Sequence, residues 1–70
     1  MEHEIGEAAG QIWRWLEQNG ETTVAKVRQE TKLSDQILHM GLGWLAREGK
    51  IELIKDRRTL KVGLNRSQAA

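Results

Sequence analysis

The chain has 70 residues, a net charge of +1 at pH 7, 30% charged residues and no cysteine. A chain of this length forms one domain, and so small a core rarely supplies more than about 3–5 kcal/mol of net stability without reinforcement such as self-association. The composition excludes disulfides and thiolate metal sites, and no apolar run or secretory layout indicates a membrane or exported protein, so we expect a cytoplasmic one.

Residues 4–19 have the spacing of an amphipathic helix. The apolar side chains recur at intervals of three and four residues: Ile5, Ala9, Ile12 and Leu16. Trp13 and Trp15 then lie about 80° to either side of this stripe, where a single packed face struggles to cover both rings. Both tryptophans are therefore candidates for a partner interface. Gly20 is the expected end of the helix.

Two shorter helices are predicted next. Thr22 or Thr23 can cap the second, because a threonine oxygen accepts a hydrogen bond from a free backbone N–H. Ser34 is the expected cap of the third, and Asp35 lies in its first turn, where the macrodipole favours negative charge. The third helix carries three leucines on one stripe, Leu38, Leu42 and Leu45, and is expected to stop at Gly49.

From Lys50 the apolar period changes from 3.6 to 2, so "KIELIK" and "TLKVGL" are predicted to form two half-buried strands joined at "DRR". A third short strand near residues 21–23 is an open alternative, and residues 65–70 are expected to fray. The predicted fold is mainly α with a small β-hairpin. Three helices and a two- or three-stranded wing sheet make a winged helix-turn-helix, in one domain over residues 1–64.

A longer string supports this fold class. The stretch "GLGWLAREGKI", with "AAGQIWRWLEQNG" upstream, resembles small prokaryotic winged helix-turn-helix proteins whose family centres on a Gly-Trp-Leu-Ala-Arg-Glu-x-Lys-Ile signature. The resemblance covers roughly residues 4–64. It implies the fold and a homodimer, and it carries no active site over to this chain.

Two glycines interrupt the third helix, where each costs roughly 1 kcal/mol against alanine. Gly41 lies at the edge of the leucine stripe, so it is predicted to let another helix approach closely, with Ala8 or Ala9 as a small partner. Gly43 lies toward the opposite side. Either a DNA or protein backbone comes close to Gly43, or the position is simply tolerant.

A second apolar stripe runs beside the leucines and contains Ile37, Met40 and Trp44. The favoured interpretation is a wide core arc that includes Ile37 and Trp44, because arcs wider than 100° are ordinary. The alternative is an exposed strip that binds a partner or a second copy. The candidate partner-interface residues are Trp13, Trp15, Met40, Gly43 and Trp44.

Basic residues make duplex DNA a second candidate partner. Five acids and one base leave residues 1–21 at −4, whereas ten bases and five acids leave residues 22–70 at +5. The candidate nucleic-acid-binding residues are Lys26, Arg28, Lys32, Gln36, His39, Lys55, Arg57, Arg58 and Lys61. The third helix is poorly suited to reading DNA bases, because Asp35 repels phosphate and the helix contains no Lys or Arg before Arg47. Alternatively, the wing charges only prevent edge-to-edge pairing.

No pattern of catalytic residues is present. His3 and His39 lie far apart, neither belongs to a cluster with metal-ligand spacing, and Ser34 is better explained as a cap. We therefore expect that the protein is not an enzyme, that it binds no cofactor, metal or small-molecule substrate, and that it has no membrane partner. The preferred function is a DNA-binding, transcription-associated module; the alternative is a protein-interaction or homodimerisation module that has lost DNA reading.

Overall fold

A computed structural model describes residues 2–65 as three helices and a three-stranded antiparallel sheet. The elements in chain order are α1 (Glu2–Asn19), β1 (Thr22–Thr23), α2 (Val24–Thr31), α3 (Asp35–Arg47), β2 (Ile51–Asp56) and β3 (Thr59–Leu64). This is the predicted winged helix-turn-helix, and the optional third strand is present as β1. Apart from Asn65, the tail predicted to fray lies outside the described residues.

Side-chain caps begin α2 and α3. The Lys26 N–H donates to Thr23 Oγ1 at 3.1 Å, and the Ile37 N–H donates to Ser34 Oγ at 3.3 Å. Both caps agree with the sequence prediction, because a hydroxyl satisfies an N–H that has no partner inside the helix. α2 ends at Thr31, and the left-handed backbone of the next residue, Lys32 (φ 60°), turns the chain toward α3.

The sheet has the order β1-β3-β2, so the central strand is the last one in sequence. Leu53 pairs with Val62 across the hairpin, and Thr22 pairs with Val62 on the other side. Val62 is fully buried, whereas Leu53 is 42% exposed and Leu60 is 36% exposed. The half-buried pattern predicted for both strands is therefore wrong for β2 after Ile51 and for β3 at Leu60.

The core lies between the three helices and the base of the sheet. Its most deeply buried side chains are Ile12, Leu16, Val27, Leu38 and Val62. A Cβ placed on Gly41 would lie 3.0 Å from Ile12 Cδ1 and 3.4 Å from the backbone nitrogen of Ala9. The prediction that Gly41 permits close packing of α3 on α1 is confirmed. A Cβ placed on Gly43 meets no atom within 4 Å.

Candidate nucleic-acid interface

One depression joins the third helix to the wing. Its lining residues are Thr23, Val24, Ala25, His39, Arg58, Thr59 and Leu60, and we call it the wing depression. His39 comes from the exposed side of α3, and Arg58 comes from the hairpin tip. Gln36 is exposed on α3, three residues before His39 and therefore on a neighbouring part of the helix surface. The fold thus places two predicted DNA contacts in one depression, beside a third.

The His39 ring is oriented by its own helix. Its Nδ1 lies 2.7 Å from the Asp35 carbonyl oxygen, and because a carbonyl only accepts, Nδ1 is the donor. This hydrogen bond occupies Nδ1 and leaves Nε2 for an outside partner. In the neutral ring, Nε2 accepts a hydrogen bond, and in the protonated ring it donates to an anion.

Ion pairs divide the predicted basic set. Arg28 Nη1 lies 3.2 Å from Asp35 Oδ1. Two lysines form longer pairs: Lys26 Nζ lies 3.9 Å from Glu30 Oε2, and Lys61 Nζ lies 4.0 Å from Asp56 Oδ2. The Arg28 pair places a positive charge against Asp35, which reduces the phosphate repulsion expected at the start of α3. All three pairs are solvent-accessible, so each contributes little to stability, and a phosphate can compete for the cation.

Three cations of the wing stay outside these pairs: Lys55, Arg57 and Arg58, which we call the free wing cations. Each is exposed, and none forms an ion pair with any residue between 2 and 65. A cation that has no ion-pair partner can bind a phosphate without first losing an interaction within the protein. Among the predicted basic residues, those at the hairpin tip are therefore the most available to bind a phosphate.

Lys32 is separated from the wing. It lines a depression with Glu4, Glu7 and Ile37, so its neighbours include acids of the first helix. The sequence grouped Lys32 with the second-helix cations because it lies close to them in the chain. The left-handed turn at the end of α2 instead directs it toward α1.

Arg57 has an unusual backbone. It has φ 59° and occupies the first position of the two-residue loop between Asp56 and Thr59. Two-residue hairpin loops need positive φ and favour glycine, or asparagine and aspartate, at such positions. A non-glycine residue held there stores strain, and strain of this kind is typical of functional sites.

Replacing Arg57 with glycine should raise the unfolding temperature by about 3 °C, because the left-handed conformation carries no side-chain penalty in glycine. The same substitution should weaken any DNA binding, because it removes a free wing cation. Thermal unfolding and DNA titration of one protein sample would measure both effects. Arg58→Gly is the matched control: Arg58 lacks positive φ, so its replacement should lower the unfolding temperature. A destabilised Arg57→Gly variant would contradict this explanation.

The predicted partner strip is only partly exposed. Trp44 is 52% exposed, so the core arc proposed to include it is wrong at this position. Ile37 and Met40 are half-buried, and Gly43 is exposed. The reason is geometric: Trp44 lies about 120° around α3 from Leu38, beyond the part of the helix that faces the core.

Trp44 borders a groove between α1 and α3. The lining residues are Gly6, Ala9, Gly10, Trp13, Trp44, Leu45 and Lys50, and we call it the tryptophan groove. Trp15 is half-buried on the other flank of α1, about 160° around the helix from Trp13. The five predicted interface residues therefore do not form one patch. Gly6 and Gly10 were not predicted to belong to this surface, although glycines four residues apart on a helix are a sequence signal for close helix packing.

The described part of the chain shows two further absences. Between residues 2 and 65, no group of three or more His, Asp or Glu side chains is placed to hold a metal ion. In the same range, no helix combines the length and apolar character needed to cross a bilayer.

Comparison with known proteins identifies the family. A family model described as "Winged helix-turn-helix domain (DUF2582)" matches residues 1–64. Uncharacterized protein MJ1608 of Methanocaldococcus jannaschii is 42% identical over 55 residues, which is 74% of this chain and 77% of that protein. The solution NMR structure of protein BT2368 from Bacteroides thetaiotaomicron is similar in fold, with a TM-score of 0.81 and 23% identity, covering 99% of this chain and 84% of that one.

A winged helix-turn-helix domain is, at the general level, a DNA-binding or regulatory module. The fold observed over residues 2–65 and the match over residues 1–64 agree. The chain belongs to the winged helix-turn-helix family DUF2582.

Proposed function

We propose that this protein is a small non-catalytic DNA-binding module of the transcription-associated kind. The observation that carries the proposal is the wing depression, where His39 of α3 and Arg58 of the hairpin tip line one surface. In winged helix-turn-helix proteins, a helix approaches the groove while neighbouring elements contact the backbone. The position of His39 and Arg58 suits that division of roles.

The free wing cations supply the phosphate contacts in this proposal. If Lys55, Arg57 and Arg58 each neutralise one phosphate, the slope of log affinity against log salt is roughly −3 for one copy of the chain. Lys26, Arg28 and Lys61 add contacts only by exchanging a carboxylate for a phosphate. We therefore expect modest affinity that depends strongly on salt.

Base reading depends on few side chains. Gln36 has the donor and acceptor to pair with adenine, and His39 presents Nε2 to a base edge or a phosphate. A single such residue discriminates between bases by only about 1–3 kcal/mol. The proposal is therefore a protein that binds duplex DNA mainly through its backbone, with weak sequence preference.

An amide-shift NMR titration with random-sequence duplex DNA, at low and at higher salt, tests this function. We expect salt-sensitive shifts in residues 36–43 and in residues 55–60, the two sides of the wing depression. Residues of α1 that line the tryptophan groove should stay unshifted and serve as the internal control. Absence of shifts in both segments at low salt would overturn the proposal.

A protein-interaction module is the second candidate, and the tryptophan groove favours it. Trp44 is half exposed, and the Cβ positions of Gly6 and Gly10 meet no atom within 4 Å. Two such glycines, four residues apart, allow a partner helix to approach the α1 backbone closely, and an exposed tryptophan is a common anchor of interfaces. A protein that ignores DNA in the titration would favour this candidate. We also propose that the protein forms the homodimer expected from the sequence, through a surface other than the tryptophan groove.

A further inference from the structure

β2 forms the long open edge of the sheet. In the order β1-β3-β2, it pairs with β3 on one side, and no strand of the described chain covers the other. The opposite edge is formed by β1, which is only two residues long. An edge strand presents unpaired backbone N–H and C=O groups, and a short one such as β1 presents few. β2, with six residues, is the edge that can accept another strand.

Backbone geometry identifies the residues that face this edge. The Asn65 N–H donates to the Lys50 carbonyl at 3.0 Å, so the backbone groups of Lys50 point toward β3. Backbone groups alternate sides along an antiparallel strand. Those of Ile51, Leu53 and Lys55 therefore point away from β3, toward the open edge.

The edge lacks the usual structural protections. Residues 51–56 contain no proline, and their pairing with β3 runs without a bulge. Two of the exposed side chains are apolar, Leu53 at 42% and Ile54 at 37%. Charge on Glu52, Lys55 and Asp56 is thus the remaining barrier to pairing, and its effect depends on which residues of the incoming strand lie opposite.

We infer that β2 pairs antiparallel with β2 of a second copy, about a two-fold axis at Leu53, so that the two sheets become one. The axis must be perpendicular to the sheet, because only a half-turn about such an axis places two identical neighbouring strands antiparallel in one sheet. It also keeps the two inner faces on the same side. Residues that lie opposite each other therefore come from the same face of their own sheets.

Charge selects the register. Centring the pair on Glu52 places this carboxylate opposite itself, and centring it on Ile54 places Glu52 opposite Asp56 of the partner subunit; both arrangements repel. Centring it on Leu53 places Lys50 opposite Asp56 of the partner subunit, which attracts. In that register, Glu52 lies opposite a neutral side chain, so no like charges face each other.

The Leu53 register also satisfies the backbone. Three residue pairs across the axis have both members facing the edge: Leu53 with itself, and Ile51 with Lys55 in each direction. Each such pair exchanges two bonds, which makes about six backbone hydrogen bonds. Lys55 lies opposite Ile51 of the partner subunit, and its long stem lets the ammonium group reach water. The inference does not depend on DNA binding.

Sedimentation of matched variants tests the dimer. We expect a concentration-dependent shift from one chain to two for the unaltered protein. Leu53→Lys should abolish it, because two ammonium groups then meet at the axis. Leu60→Lys is the control: it removes a similarly exposed leucine from the same face, but β3 is the central strand, so dimerisation should persist. A chain that stays monomeric at millimolar concentration, or equal loss in both variants, would overturn the inference.

A cysteine scan tests the register, because the natural chain contains no cysteine. Leu53→Cys should form an intermolecular disulfide under mild oxidation about tenfold faster than Glu52→Cys or Ile54→Cys. The reason is distance: directly opposite Cα atoms lie about 5.5 Å apart, within disulfide range, whereas residues displaced along the strand are about 7–8 Å apart. Equal rates at the three positions would refute pairing at Leu53.

Discussion

Replacing Gly41 with valine is expected to lower the unfolding temperature by about 15 °C, equivalent to about 3 kcal/mol for a domain of this size. Even the first added carbon would lie 3.0 Å from Ile12 Cδ1 and 3.4 Å from a backbone atom of Ala9. Ile12 is fully buried, and in a close-packed core its side chain can shift only by displacing neighbouring atoms. The two γ-methyl groups of valine would therefore push α1 and α3 apart.

Gly43→Val is the matched control in the same helix. No atom lies within 4 Å of a Cβ at Gly43, and valine is a slightly better helix former than glycine. Its unfolding temperature should therefore stay within a few degrees of that of the unaltered protein. Thermal unfolding followed by circular dichroism would measure both variants. Similar losses in both would show that helix disruption, rather than the contact with α1, explains the effect.

The double variant Arg57→Ala, Arg58→Ala is expected to reduce DNA affinity by about 100-fold at about 50 mM salt, with a much smaller loss near 1 M. Two of the three free wing cations are removed, so two fewer counterions are released on binding. The slope of log affinity against log salt should change from roughly −3 to roughly −1. Fluorescence anisotropy with a labelled duplex across a salt series would measure the slope.

A second double variant controls for net charge. Arg14→Ala with Lys32→Gly removes the same charge from an exposed site on α1 and from the left-handed position at the end of α2. Neither residue lines the wing depression. The slope should therefore remain near −3 in this variant. Equal flattening in both variants would show that overall charge, and not the hairpin tip, determines binding.

The local features of this fold could be predicted residue by residue. Thr23 and Ser34 cap helices because their hydroxyls satisfy nearby N–H groups, and this chemistry depends only on neighbours in the chain. The leucines of α3 likewise reveal its buried face through simple periodicity. Gly41 could be paired with Ala8 or Ala9 because a small residue facing small residues is typical of close helix packing.

Other features depended on distant parts of the chain. The sequence placed Trp44 in the core by its spacing, but the position of α1 decides where the buried arc of α3 ends. Lys32 was grouped with Arg28 by proximity in the chain, but the turn after α2 separates them. Arg28 of α2 forms an ion pair with Asp35 of α3, with 3.2 Å between Nη1 and Oδ1. The apolar spacing of neither helix indicates this pair.

The sequence by itself determined the order of the elements, the helix caps, the leucine stripe of α3 and the family, because these follow from contacts within a few residues and from a recognisable string. Only the tertiary structure decided which cations stay unpaired, that His39 and Arg58 line one depression, and that β2 is an open edge. These properties arise when segments far apart in the chain meet. Periodicity describes a segment's own faces but not the neighbour that covers them.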